Sequence, residues 1–128
     1  VVFGKKYLTT IIDLERWIML NPKTEDLHKR AMKISDKAIF AKRENKQEEA
    51  KKHYLESALL EEQASYDRDN GGWHQPYSYS AAWLFISAGE EQRALDYIEK
   101  VIEFVEDKYC LHQLNEAKIK AKEILSYN

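Results

Sequence analysis

Apolar residues recur at three- and four-residue steps along most of the chain, which predicts amphipathic helices. Tyr7, Ile11, Leu14 and Ile18 mark the first, over 5–20, and Leu8, Ile12 and Met19 widen its apolar face. Asn21-Pro22 closes it, because the residue before a proline avoids helical geometry. Thr24 suits the N-cap of a second helix, with Glu25 and Asp26 in a first turn where acids complement the dipole. Leu27, Ala31, Ile34, Ala38 and Ala41 form its stripe as far as about Glu44. Asn45 suits a left-handed stop. A third helix, over 47–66, carries Ala50, Tyr54, Leu55, Ser57, Ala58 and Leu59. The run DRDNGGWHQ over 67–75 breaks the pattern, since Gly71-Gly72 is costly in a helix interior. Pro76 opens a fourth helix that stops at Gly89. A fifth follows from Glu90 with Ala94, Ile98, Val101, Ile102 and Val105. In the last, over 109–127, Cys110, Leu114, Ala117, Ala121 and Ile124 make a one-sided seam, as expected of a terminal helix lying on a hairpin.

Residues 24–66 and 76–106 thus read as two helical hairpins. Small side chains sit where paired backbones must approach: Ala38 and Ala41 before the first turn, Ala50, Ser57 and Ala58 after it. The hairpins match in spacing. Ala38 to Ala50 and Ala82 to Ala94 are equal steps, as are Ala50 to Tyr54 and Ala94 to Ile98, and Asn45 and Gly89 fall in one register.

The stretches Ile34–Ala38 with Ala50–Tyr54, and Ser78–Ala82 with Ala94–Ile98, resemble tetratricopeptide repeats, over about 24–106. That family pairs a small residue late in its first helix with an Ala-x-x-x-aromatic pattern in its second. The chain departs from the pattern in lacking the early tryptophan (Ile34 and Ser78 stand there), in Lys37 at an apolar position, and in having no closing proline. Its repeat step is also longer than the family's ~34 residues. The expected fold is all-α and a single domain over 1–128. It has about six helices: two tetratricopeptide-like antiparallel hairpins in an α-α superhelix, capped by helices 5–20 and 109–127. A plain helical bundle is the alternative.

The resemblance implies a groove lined by the first helix of each hairpin. Met32, Ser35, Ile39 and Lys42 would line it from one, with Arg43 at its edge, and Tyr79, Trp83 and Ile86 from the other. The chain's own first helix is a competing occupant. Trp73 and His74 add an aromatic loop, which either anchors onto the core or touches a ligand. The implied function is non-catalytic protein or peptide binding. A structural oligomerisation domain that self-associates is the second reading, and a metal-binding bundle the third. The family's carboxylate clamp is unmatched, since Ser35 and Ile39 take its places.

Composition narrows the remaining classes. With 44% hydrophobic and 33% charged residues the chain is globular rather than disordered. A net charge of −2 argues against a nucleic-acid partner, because the lysine-rich pieces are interleaved with acids. The single Cys110 excludes an intrachain disulfide and a cysteine-based zinc cage, and fits a reducing, cytoplasmic setting. No apolar run reaches the ~18 residues of a membrane span, and no secretory leader is expected. Val1 in place of Met predicts a processed or trimmed chain.

Candidate chemistry is sparse. Glu25-x-x-His28 has di-iron spacing, but no second such motif accompanies it. Asp67–Gly72 offers acids at some calcium-loop positions, yet Ser78 stands where a closing Glu is needed. Cys110 and His112 point to different helix faces. No catalytic residue, metal or cofactor is expected.

Overall fold

The computed structural model describes residues 24–67, 72–73 and 75–127. Among these the fold is all-helical apart from one short β pairing. The helices are α1 (Thr24–Arg43), α2 (Gln47–Ser65), α3 (Gln75–Ser87), α4 (Glu91–Val101) and α5 (Lys108–Ser126). The helix expected over 5–20 lies outside the described residues. No described helix is long and apolar enough to cross a membrane.

Two turns of one design set the chain's reversals. Asn45 has φ 61° and Gly89 φ 77°. At the first, Lys46 N–H donates to the Ala41 carbonyl (2.9 Å) and Asn45 N–H to Lys42 (3.1 Å). At the second, Glu90 N–H donates to Phe85 (2.9 Å) and Gly89 N–H to Ile86 (3.0 Å). This double bond pattern around a left-handed residue satisfies the last carbonyls of the helix while turning the chain back. Asparagine tolerates that conformation and glycine adopts it without steric cost. The two stops expected at Asn45 and Gly89 therefore stand where the sequence placed them.

α1 and α2 pack as an antiparallel pair. His28 meets Glu61, and the Ser57 hydroxyl donates to the Ala31 carbonyl at 2.7 Å. The same register carries Ala38 past Ala50, and both are buried. α3 then packs on α2, α4 on α3, and α5 on both α3 and α4. The main core lies among these last three helices and α2: Ala58, Phe85, Ala94, Tyr97, Ile98, Val101 and Leu114. The seam expected of the terminal helix is buried at Cys110, Leu114, Ala117 and Ala121.

The five described helices correspond to the second to sixth expected ones. Two features differ from the sequence reading. The segment expected as a plain polar connection contains an antiparallel pairing, Tyr66 with Trp73 and Asp67 with Gly72. Two residues per strand are too few to show a period-two pattern, so only the turn residues between them signal it. The fifth predicted helix is shorter than expected: α4 ends at Val101 and tightens into a 3-10 turn, Ile102–Phe104. Val105 is then extended, and the Asp107 side chain caps α5 by accepting from Cys110 N–H at 2.9 Å. Gln75 Oε1 accepts from both Glu106 and Asp107 N–H (2.9 and 2.7 Å), which ties this corner to the start of α3.

Candidate functional site

The predicted groove lining divides between two environments. On α1, Met32 and Ser35 are half-buried, Ile39 is 39% exposed, and Lys42 and Arg43 are exposed. On α3, Tyr79, Trp83 and Ile86 pack against the core. α5 covers this part of α3. The Tyr79 ring stands edge-on to Tyr109 at 5.7 Å, and Trp83 Nε1 donates to Gln113 Oε1 at 3.3 Å. The side chain of Trp73, and all of His74, lie outside the described residues.

A buried polar row along the end of α2 escaped the sequence reading. Glu61 has no exposed surface, and Ser57, Glu62, Gln63 and Ser65 are buried beside it. Glu61 Oε1 lies 2.7 Å from His28 Nδ1, and the His28 ring stacks on Tyr77 at 4.6 Å. Burial raises the Glu61 carboxyl above its ordinary range; His28 and Ser80 pull it partly back. Burial likewise pushes Glu62 up to about 7, against the opposing pull of Lys100 and Arg93. The Tyr97 hydroxyl donates to Ser65 Oγ at 2.5 Å, and Ser65 Oγ donates to the Glu62 backbone carbonyl at 2.6 Å, which ties α4 to the end of α2.

The signal for this row was present but indirect. Leu59-Leu60 follows Ala58 and precedes Glu61-Glu62, so apolar residues surround α2 instead of lining one stripe. A helix covered on several sides must take its polar residues inside with it. Buried carboxyls of this kind are fixed by hydrogen bonds and opposite charges, and they order the helices around them. Among the described residues, no group of three or more His, Cys, Asp or Glu side chains is placed to hold a metal ion.

The opposite flank of α1 forms a different surface. Arg30, Lys33, Ile34 and Lys37 face His53 and Glu56 of α2 across a groove of about 270 Å³. At helical spacing, Arg30, Lys33 and Lys37 lie on one side of the buried stripe Leu27, Ala31, Ala38 and Ala41, while Met32, Ser35, Ile39 and Lys42 lie on the other. α1 therefore presents an apolar flank and a cationic one. Comparison of the chain with family models, with curated proteins and with solved structures finds no match.

Proposed function

We propose that this chain is a non-catalytic helical scaffold, of tetratricopeptide-like type, that binds a protein or peptide along the apolar flank of α1. The observation that carries the reading is the exposed end of that flank. Ile39 remains 39% exposed next to Lys42 and Arg43. Exposed large apolar side chains edged by cations are the usual make-up of a protein-binding patch. Two further features support the repeat relationship. The turns at Asn45 and Gly89 share one hydrogen-bond pattern. α5 packs on both α3 and α4, as expected of a helix that caps the second hairpin.

Under this reading the groove does not extend across α3, because α5 occupies the face bearing Tyr79 and Trp83. Binding is confined to the Met32, Ser35 and Ile39 side. Quantitative affinity capture with wild type and with Ile39→Asp tests it. The variant, with its helical circular dichroism unchanged, is expected to lose the captured partners. Retention of the same partners at the same yield overturns the assignment.

Self-association is the second reading. Phe104, Tyr109 and Ile119 are each more than half exposed on and next to α5. Sedimentation velocity separates the two: a dimer abolished by Ile119→Asp but untouched by Ile39→Asp favours assembly through α5.

A further inference from the structure

α1 is fastened to the rest of the molecule mostly by small side chains. Its buried residues are Leu27, Ala31, Ala38 and Ala41. The Ser57 hydroxyl holds the Ala31 carbonyl, and His28 Nδ1 meets Glu61 Oε1 at 2.7 Å. The second of these contacts differs from the first in one respect: its charge depends on how many protons it holds.

The Glu61 side chain has no exposed surface, whereas that of His28 is 35% exposed. Glu61 Oε2 is buried and has no hydrogen-bond partner among the described residues. The pulls that favour the ionised carboxylate come from His28 and, more weakly, from Ser80 of α3, with no lysine or arginine among them. Glu62, next along α2, turns instead to Tyr66, with Lys100 and Arg93 opposing its burial. The other titratable groups facing Glu61 are Tyr77 of α3 and Tyr97 of α4, both phenols raised above their ordinary range by burial. Glu25 of α1 adds only negative charge beside Tyr77. The imidazole is thus the one neighbour in this set that can offset a charge on Glu61.

A contact of this length between Nδ1 and Oε1 holds one proton, whichever atom carries it. A second proton, on Nε2, makes the pair neutral. Its loss leaves a net negative charge away from water, with one carboxylate oxygen unpaired, which is costly. The half-exposed imidazole gives that proton a way in and out. We propose that the His28–Glu61 pair is a proton-operated latch on α1, closed while the pair holds two protons and released as one of them leaves. Burial raises the Glu61 carboxyl, so the closed state binds its proton more tightly than an opened state in which Glu61 meets water. Docking of α1 is therefore strongest below the ordinary carboxyl range and weakens as pH rises through the raised value. The latch does not rest on the partner surface proposed above, because its readout is the opening of α1 itself.

The test is amide hydrogen exchange on the whole chain from pH 5 to pH 8, corrected for the intrinsic pH dependence of exchange. Opening of the α1 amides is expected to rise about tenfold or more across that interval in the wild type. Glu61→Gln has the same shape and stays neutral, and is expected to remove the rise. Glu62→Gln is expected to leave it in place. His28→Asn, at a half-exposed position where folding is not at risk, is expected to move the rise to higher pH, because the pull of the imidazole on the carboxyl is gone. Flat α1 opening in the wild type, or a rise that persists in Glu61→Gln, overturns the latch. A rise that His28→Asn abolishes or leaves unmoved overturns the pairing. A Glu61→Gln change that alters α4 as much as α1 overturns the local release in favour of one cooperative unfolding.

Discussion

Around α3, α4 and α5 the interior is filled by Phe85, Tyr97, Ile98, Val101 and Leu114. Between α1 and the rest it is filled by Leu27, Ala31, Leu60 and Ala64, with Ala38, Ala41 and Ala50 towards the turn. A fully buried Phe, Ile or Leu contributes roughly 1.5–3 kcal/mol, while an alanine methyl contributes well under 1. α1 is therefore held less by apolar volume than by close approach, by Ser57 on the Ala31 carbonyl, and by His28 on Glu61. The same economy leaves both flanks of α1 accessible. A helix clasped by large side chains has less surface left for a ligand, and a helix seated on alanines keeps more.

The largest effect that would break this contrast is core truncation. Phe85→Ala is expected to cost about 3–5 kcal/mol and to destabilise the whole molecule. Leu27→Ala is expected to cost nearer the low end of the ~2–5 kcal/mol range for such changes, mainly by releasing α1. Urea denaturation gives the totals, and amide hydrogen exchange gives their distribution. Equal loss of protection in α1 and α4 for both variants would show that the two regions are one cooperative unit.

Next in size is the response to pH. Glu62 is raised from 4.5 to about 7 by burial, so the folded state binds its proton more tightly than the unfolded state does. Stability from this group is fully present below 4.5 and falls as pH rises towards 7, by about 3 kcal/mol. Glu61, raised for the same reason, acts in the same direction. Glu62→Gln is expected to flatten the decline and to leave the protein more stable than wild type at pH 8. A wild-type midpoint that rises between pH 5 and 7 would contradict the burial argument. The smallest expected effect is Gln75→Ala. It removes two exposed hydrogen bonds to the chain before α5 and should cost about 1 kcal/mol, with faster exchange confined to α5.

The sequence made local features legible because their causes are local. Asn45 and Gly89 announce left-handed stops by residue type alone, and the Cys110–Ala121 seam shows in its spacing. What depended on three helices meeting was hidden. Nothing next to Glu61 in sequence says that His28, Tyr77 and Ser80 converge on it from two other helices. The aromatic face of α3 is equally ambiguous in sequence. Tyr79 and Trp83 suit either a ligand or a neighbouring helix, and the arrival of Tyr109 and Gln113 decides which one covers them.

Cys110 lies on the buried face of α5, and burial together with the adjacent Asp107 pushes its thiol up to about 11. Only the thiolate reacts readily with alkylating reagents. In neutral solution this sulfur should stay almost inert until the last helix lifts away. Its labelling rate is thus a built-in clock for that motion, readable by mass spectrometry without altering a single atom of the protein beforehand.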